Sequence, residues 1–210
     1  MTDPEDQSKA AQTRARLLDA ALSSFAERGF YGTSTRDIAA AAGMSPAAVY
    51  VHHRSKEDLL YQLSRRGHDM ILDVVQSAAA SSDDPTAQLA AVVRGFAEHH
   101  AQRHTSARVV NYELAALDDE HRAEILALRR LIDGAIRDVI ERGVAAGAFD
   151  TPHPRMAAVA ILSLGIDTAR WFRDDGAWSP EQVGDFYADL ALRMVGAGHG
   201  PGAAARRSAK

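Results

Sequence analysis

The stretch STRDIAAAAGMSPAAVYVHH, residues 34–53, decides the fold of this protein. Its first residue, Ser34, stands three positions before an acid, a spacing that predicts a capping box at the start of a helix. Gly43 predicts the end of that short helix, because glycine readily adopts the left-handed conformation that follows many helices. Ser45 and Pro46 predict a second helix, since serine caps helices and proline fits the first helical position. The stretch is therefore predicted to form a helix, a tight turn and a second helix.

The second helix of this pair begins with small side chains. Pro46, Ala47 and Ala48 would let its N-terminal end approach the base edges of a DNA major groove, which is about 12 Å wide. Helical hairpins with glycine in the turn also occur in proteins that do not bind DNA, so the hairpin alone leaves a purely structural role open. Polar groups suited to phosphate contacts flank this end of the helix, on Thr33, Ser34, Tyr50, His52 and Lys56.

Outward from this stretch, apolar residues recur at helical spacing almost everywhere, and no segment alternates as a half-buried strand would. We therefore predict an all-α protein of about nine helices. The ranges of the second, third and fourth helices include their capping residues. The predicted helices are Gln12–Arg28, Ser34–Gly43, Ser45–His53, Ser55–Ala79, Pro85–Gln102, Ser106–Leu117, Glu120–Ala146, Arg155–Phe172 and Pro180–Val195.

Charge and composition divide the chain into two domains. Residues 9–66 carry nine Lys and Arg against five Asp and Glu, although the whole chain has a net charge of -4. Such asymmetry is expected when only one part of a protein meets a polyanion. The polar segment Ala78–Pro85 is the weak boundary signal. We predict a helix-turn-helix DNA-binding domain at 12–72, an effector-binding and dimerisation domain at 73–195, and disorder at 1–11 and 196–210.

Composition also excludes several classes of protein. The chain has 210 residues, 46% of them hydrophobic and 25% charged, which is typical of a globular protein. It has no cysteine, which excludes disulfides, thiol nucleophiles and cysteine-bound zinc. The longest apolar stretch, Met156–Ile166, is shorter than the roughly 20 residues of a membrane helix, and residues 1–7 are acidic where a secretory signal is basic. We expect a cytoplasmic protein.

From Thr13 to Leu63 the chain resembles the TetR family of bacterial transcriptional regulators. The resemblance implies an all-helical homodimer whose N-terminal domains bind operator DNA and whose C-terminal domains bind an effector. His53 departs from the pattern, since the family usually has a phenylalanine there, packed beneath the recognition helix. The segments that carry the resemblance are A-x-x-x-F-A-x-x-G-F/Y-x-x-T-S (Ala21 to Ser34), R-D-I-A-x-x-A-G-x-S (Arg36 to Ser45) and V-Y-x-H-x-x-S-K-E-D-L (Val49 to Leu59).

By that resemblance, a set of side chains around the two short helices faces DNA. Arg36 is the expected base reader, because an arginine can bond two guanine acceptors at once. A phosphate contact or a solvated position for Arg36 remains open, as does a half-buried core position for Tyr50. The full set, with Ser34 and Pro46 included, is Thr33, Ser34, Arg36, Ser45, Pro46, Ala47, Ala48, Tyr50, His52 and Lys56.

The helix predicted at Arg155–Phe172 is apolar on nearly every side, and this chain is too small to cover it fully. A partner subunit would cover the remaining apolar surface of this helix, so we expect a two-fold dimer formed by this helix and the last helix. Such a dimer would bind a palindromic operator, since it presents two recognition helices to one face of DNA. The predicted interface residues are Val159, Leu162, Ile166, Phe186, Leu190 and Met194.

Three C-terminal segments, Ala127 to Phe149, Asp167 to Arg173 and Trp178 to Val183, look like TetR-type repressors of fatty-acid and sterol catabolism that respond to acyl-CoA thioesters. An acyl chain needs an apolar channel, and the CoA phosphates need arginines. The alternative is that the aromatic residues are core or interface residues and the arginines are solvated. The candidate effector residues are Arg108, Tyr112, Arg129, Arg170, Trp171 and Arg173, with Arg130 as a further possible phosphate ligand.

Other sequence features do not support catalysis. His99, His100 and His104 follow Glu98, but the zinc-protease motif H-E-x-x-H is absent, so we expect a polar helix face and neither metal nor cofactor. No nucleophile elbow, P-loop or dinucleotide fingerprint occurs, and we expect no enzyme. A helical enzyme or a ligand carrier remains as an alternative class, but neither accounts for residues 33–56. Whether the regulator represses or activates depends on the operator position.

Overall fold

The computed structural model describes residues 4–198, and this part of the chain contains nine α-helices and no strand. The predicted all-α class is confirmed, and the bounds predicted for α2–α5 and α7–α9 agree to within about two residues. None of these helices combines the length and hydrophobicity needed to cross a membrane. The helices are α1 (Pro4–Arg28), α2 (Thr35–Ala41), α3 (Pro46–His52), α4 (Lys56–Ala79), α5 (Pro85–Gln102), α6 (His104–Tyr112), α7 (Asp119–Ala145), α8 (Pro154–Trp171) and α9 (Pro180–Met194).

The described chain forms two compact units. The first comprises residues 4–67 and 105–126, and the second comprises residues 68–104 and 127–198. Residues 105–126 therefore group with the N-terminal helices, although the sequence assigned them to the effector domain. Hydrogen bonds within the first unit show why: the Arg108 guanidinium donates to the Ala26 carbonyl at 3.1 Å, and the Tyr61 hydroxyl donates to Glu124 at 2.7 Å.

The predicted disordered ends need correction where the structure describes them. Helix α1 begins at Pro4, eight residues before the predicted start near Gln12. Proline fits a first helical position, and residues 5–12 contain no glycine or further proline that would end the helix. At the other end, Gly196 has a φ of +66° and the Ala197 N–H donates to the Leu192 carbonyl, which caps α9. Residues 1–3 and 199–210 lie outside the described residues.

Helix α6 differs from its prediction. It begins at His104 and ends at Tyr112, followed by a short 3₁₀ helix, whereas the periodicity predicted one helix over Ser106–Leu117. The chain leaves the α-helix at Glu113, whose side chain accepts a hydrogen bond from the Phe30 backbone N–H at 3.4 Å. These two residues are 83 positions apart, so local periodicity could not show the contact.

Each unit has its own buried side chains. In the first unit Leu17, Ala21 and Phe25 lie one helical turn apart on α1 and form its inner face. In the second unit α5 packs on α8 and α9, and Gly165 permits the close approach of α8, since a Cβ there would lie 2.4 Å from the Phe96 ring. The second core includes Val92, Val93, Phe96, Ile136, Ile140, Ala158 and Ile161.

Candidate functional site

Helix α2 begins as the sequence predicts. Ser34 is its N-cap, the Ser34 Oγ accepts a hydrogen bond from the Asp37 N–H at 3.2 Å, and the Asp37 carboxylate accepts one from the Ser34 N–H at 2.8 Å. Hydrogen bonds from the Ser34 side chain and backbone hold the pKa of Asp37 below its usual value. The capping box leaves Arg36, on the first turn of α2, exposed.

The turn between α2 and α3 depends on one glycine. Gly43 has a φ of +66°, which lets the Met44 N–H donate to the Ala39 carbonyl at 2.8 Å and close the end of α2. Ser45 then caps α3, with its Oγ accepting from the Ala48 N–H at 3.3 Å. These bonds set where α3 begins relative to α2, as a helix-turn-helix pair requires.

The outer face of α3 is open to a partner. Ser45, Pro46 and Ala47 are exposed, while Ala48 and His52 are half-buried. Tyr50 is 58% exposed, which excludes the core position that its sequence left open. The only residue of α3 that is buried is Val49, which anchors the helix from its inner side. The exposed end of α3 thus carries small side chains, as close approach to a DNA groove requires.

Sequence reasoning missed Thr35 and Val51 as members of this face. The Thr35 Oγ1 lies 3.2 Å from the Tyr50 Oη, so the start of α2 and the middle of α3 present a joined pair of hydroxyls. Val51 is 77% exposed beside them. Thr35 follows the N-cap that the sequence identified, and an exposed Val on a seven-residue helix has no signal in a single sequence.

Two predicted DNA contacts have internal partners. Thr33 is buried, and its single hydroxyl proton has two carbonyl acceptors within reach, Gly29 at 2.8 Å and Ser24 at 3.0 Å, so this side chain does not face outward. The Lys56 ammonium donates to the carbonyls of Phe30 and Thr33, both at 2.8 Å. These bonds tie the start of α4 to the loop before α2. A phosphate contact through the remaining Lys56 N–H stays a prediction.

The Lys56 ammonium also lies 4.0 Å from the centroid of the Phe30 ring. Partial burial lowers the pKa of this lysine. Carbonyl oxygens and an aromatic face both favour a cation, so these contacts offset the loss of water around the ammonium. Lys56 therefore links the start of α4 to the loop before α2 even without DNA.

His53 directly follows α3 and its side chain has no solvent exposure. Its Nδ1 lies 3.3 Å from an Asp58 carboxylate oxygen and 3.2 Å from the Gln62 amide nitrogen. Its Nε2 is buried and has no hydrogen-bond partner among the described residues. Burial lowers the pKa of His53, and the neighbouring Asp58 carboxylate opposes that shift.

A cluster of three side chains in the first unit could hold a metal ion. Glu57, Asp118 and His121 place their ligand atoms within 4.8 Å of one another. The His121 Nδ1 lies 2.8 Å from the nearer Glu57 oxygen and 3.4 Å from an Asp118 oxygen, and the ring stacks on Tyr61 at 3.7 Å. Burial lowers the pKa of His121, but the Glu57 hydrogen bond and charge outweigh it, and the net pKa is raised. A protonated His121 would pair with both acids through its Nδ1–H.

The histidines near Glu98 form no such cluster within residues 4–198. His100 is buried in the second unit, with its Nδ1 2.8 Å from the Phe96 carbonyl, and burial lowers the pKa of His100 to about 4. His68 is also buried, and its Nε2 accepts a hydrogen bond from the Arg129 Nε at 3.3 Å. Arg129 was a predicted effector residue, whereas the buried His68 and His100 beside it were missed.

The other predicted effector residues lie in both units. Arg108 is in the first unit, bonded to α1, and Tyr112 is an exposed residue of the same unit. In the second unit, Arg170 pairs with Asp167 at 3.2 Å and Arg173 donates to the Phe172 carbonyl at 2.7 Å. Trp171 and Arg130 are exposed, and the Trp171 ring meets Trp178 edge-on at 6.3 Å. An effector role for these residues stays a prediction.

The predicted interface residues form an apolar surface on α8 and α9. Val159 and Phe186 are 53% and 64% exposed, and the other four are half-buried. Met156 and Leu164 on α8, which the predicted set does not include, are exposed as well. A small recess in the second unit is lined by Val93, Ile161, Leu164, Tyr187, Leu190, Ala191 and Met194.

Comparison with known proteins identifies two matching family models. The model described as "Bacterial regulatory proteins, tetR family" matches residues 17–63. The model described as "Tetracyclin repressor-like, C-terminal domain" matches residues 82–195. The N-terminal match spans α2 and α3 with the end of α1 and the start of α4, and the C-terminal match spans α5 to α9.

Whole-chain comparisons agree with these models. An HTH-type transcriptional repressor, KstR2, of Rhodococcus jostii is 31% identical over 95% of this chain and 100% of its own. A crystal structure of a bacterial regulatory protein in the TetR family from Rhodococcus RHA1 has 40% identity and a TM-score of 0.84, covering 88% of this chain and 97% of that chain. The structure of AibR in complex with isovaleryl coenzyme A and operator DNA has 25% identity and a TM-score of 0.78, covering 88% and 99%.

Proposed function

Because the chain belongs to the TetR family of bacterial regulatory proteins, we propose that it is a dimeric repressor that leaves a palindromic operator when an acyl-CoA effector binds. The observation that carries the DNA-binding part is the exposed, small-residue end of α3, positioned by two helix caps. A regulator of this kind acts on the bacterial nucleoid in the cytoplasm and needs no catalytic centre.

In the proposed complex α3 lies in the major groove. Pro46 and Ala47 approach the base edges, and Arg36 reads a guanine from the start of α2. The paired hydroxyls of Thr35 and Tyr50 contact phosphate oxygens beside the groove. The N-terminal unit needs little net positive charge for this, because helix N-termini also direct N–H groups to phosphates.

The proposed dimer forms through α8 and α9. Met156, Val159 and Phe186 give these helices an exposed apolar surface, and a two-fold axis would bury it against its own copy. Dimerisation also explains a palindromic operator, since each subunit would bind one half-site. An effector can then weaken DNA binding by favouring a dimer whose recognition helices do not fit both half-sites.

Two kinds of observation support an acyl-CoA thioester as the effector. Relatives include a KstR2 repressor and an AibR structure with isovaleryl coenzyme A and operator DNA. Within the second unit, Arg129 lies beside the buried His68, and the buried His100 packs on the core residue Phe96, a setting that suits a polar or anionic group on an apolar ligand. Phosphates of the same ligand would bind exposed arginines such as Arg170 and Arg173.

The first experiment identifies the operator by selecting genomic DNA fragments that the purified protein retains. Fluorescence anisotropy at several salt concentrations then gives affinity and salt dependence. A repressor of this kind binds its palindrome with strongly salt-dependent affinity, whereas a ligand carrier or an enzyme shows no such dependence. Binding to no duplex even at low salt would contradict the proposal.

The second experiment adds effectors to the protein–operator complex. Short-chain, long-chain and sterol-derived acyl-CoA thioesters are titrated against free coenzyme A and the corresponding free acids. Release of DNA by one acyl-CoA, and not by its free acid, supports the effector class. Failure of every acyl-CoA to release the operator would contradict the effector class while leaving the DNA-binding function intact.

A further inference from the structure

We propose that His53 is a positioning residue for DNA binding: only its neutral imidazole fits beneath α3, so mild acid weakens operator binding by displacing the recognition helix. The inference rests on the proposed DNA-binding function of α3. It concerns a residue that does not itself touch DNA, because its side chain has no exposure to solvent.

The position of His53 links α3 to α4. Its backbone N–H donates to the Val49 carbonyl at 2.8 Å and closes the C-terminal end of α3. Its ring Nδ1 meets Asp58 and Gln62, both on α4. A displacement of the ring therefore moves the last turn of α3, which carries Tyr50, relative to α4.

The hydrogen bonds around the ring favour one neutral form. If the Nδ1 carries the proton, it donates to the Asp58 carboxylate, and the bare Nε2 is an acceptor without a donor. If the Nε2 carries the proton, the bare Nδ1 can accept from the Gln62 amide but faces the Asp58 carboxylate, and the buried Nε2–H has no acceptor. The Gln62 amide can bond to Asp58 in either form, and a buried donor without an acceptor costs more than a neutral ring acceptor left unbonded. The Nδ1–H form is therefore preferred.

A protonated ring is unfavourable here because its second N–H would point into a site with no acceptor among the described residues. Within residues 4–198, Asp58 is the carboxylate that faces the ring. It already accepts hydrogen bonds from the Gln62 amide at 3.1 Å and the Arg54 N–H at 3.2 Å, so it does not depend on an imidazolium.

The remaining charged neighbours oppose protonation. His52 on α3 and Arg14 on α1 both disfavour a cation at His53, as burial does, and only Asp58 on α4 favours it. The pKa of His53 is therefore below its ordinary 6.5. In the unfolded chain the His53 ring binds its proton more tightly. The stability of the packing of His53 against α4 therefore falls as the pH drops below about 6.5 and levels off below the folded-state pKa.

The test compares operator affinity between pH 7.5 and 5.5 for the wild-type protein, His53→Phe and a control, His153→Gln, which changes an exposed histidine of the second unit. Phenylalanine has a ring of similar size and no nitrogen that must be satisfied. We expect the wild type and the control to lose affinity relative to His53→Phe, by up to about tenfold for each unit of pKa depression. Parallel pH profiles for the wild type and His53→Phe would overturn the inference.

A second measurement covers the case in which His53→Phe does not fold. Nitrogen NMR of ¹⁵N-histidine-labelled full-length protein reports the tautomer and titration of each ring. We expect His53 as the Nδ1–H tautomer at pH 7 and its titration below pH 6.5, with α3 amide shifts moving in step. An Nε2–H tautomer or an ordinary titration would overturn the inference. If the wild type binds no duplex at pH 7.5, the proposed function itself fails, which is a different outcome.

Discussion

Helices α3 and α8 both expose apolar side chains, but different forces hold them in place. Helix α3 has seven residues and buries only Val49, so polar contacts around it, including the Ser45 cap and the His53–Asp58 pair, set its position. Helix α8 has 18 residues and six buried ones, so apolar packing anchors it. A short helix cannot persist on its own propensity. The comparison shows that the position of the recognition helix α3 depends on a few polar atoms, whereas the proposed interface depends on the area of apolar surface that α8 and α9 can bury.

The largest expected effect tests the α8–α9 surface. Phe186→Asp places a charge on the exposed apolar surface of α9, where a dimer would have to bury it without a partner. We expect a monomer by analytical ultracentrifugation and a loss of operator affinity on the order of a hundredfold, since only one half-site is then bound.

Tyr31→Asp is the control for oligomeric state, because Tyr31 is an exposed aromatic residue of the first unit. It should remain a dimer. A dimeric Phe186→Asp protein would show that the subunits do not meet through this part of α9.

A second prediction tests how far packing holds α8. Gly165→Ala places a methyl group 2.4 Å from the Phe96 ring, a buried aromatic side chain that cannot move away freely. We expect the free energy of unfolding to fall by between about 1 and 3 kcal/mol in urea titrations.

Gly134→Ala on α7 is the matched control, because the nearest atom to its added methyl group is the end of the Arg137 side chain at 3.7 Å. Alanine there should be neutral or slightly stabilising, since it favours the helix. Equal destabilisation by both variants would show that α8 does not rely on close contact with α5.

A third prediction tests whether Arg36 recognises a base pair, as distinct from holding the α2–α3 pair in position. Arg36→Ala removes an exposed side chain without internal packing, so the stability of the protein should not change. Affinity for the operator should fall about tenfold, with less discrimination against changed base pairs at one position of each half-site. Unchanged discrimination in competition assays would assign Arg36 to phosphate or to solvent.

The smallest expected effect sharpens the role of Lys56. Lys56→Ala removes two hydrogen bonds to carbonyls, so we expect thermal unfolding to show a loss of about 1 kcal/mol. Lys9→Ala, at an exposed position on α1, should have no such effect. If Lys56 also contacts a phosphate, the salt dependence of operator binding should fall by about one unit, and an unchanged slope would restrict Lys56 to its structural role.

The parts of the site that the sequence predicted are those whose physics is local. A cap such as Ser34 or Ser45 bonds to N–H groups two or three residues away, so spacing alone reveals it. The exposed small residues at Pro46 and Ala47 follow directly from those caps. Helix ends that depend on distant partners were less well predicted, as Glu113 shows at the end of α6.

For residues whose hydrogen-bond partners are not their sequence neighbours, the sequence predicted the wrong surroundings. Thr33 looked available for phosphate because the sequence does not show that the turn after α1 brings the Gly29 and Ser24 carbonyls, four and nine residues earlier, within reach of its hydroxyl. Lys56 was predicted to contact phosphate, and its two carbonyl partners lie more than twenty residues earlier in the sequence. His68 carried no sequence signal, and His100 was wrongly expected on a polar helix face, because burial of a histidine is a property of the packed unit.

Sequence by itself determined the all-helical class, the places where most helices begin and the helix-turn-helix pair, because caps, glycine stops and apolar periodicity act over a few residues. Only the tertiary structure decided which polar groups form hydrogen bonds inside the protein: the Thr33 hydroxyl, the Lys56 ammonium and the His53 ring. The physical reason is that a buried hydrogen bond depends on the distance between atoms in the folded chain, and sequence separation does not set that distance.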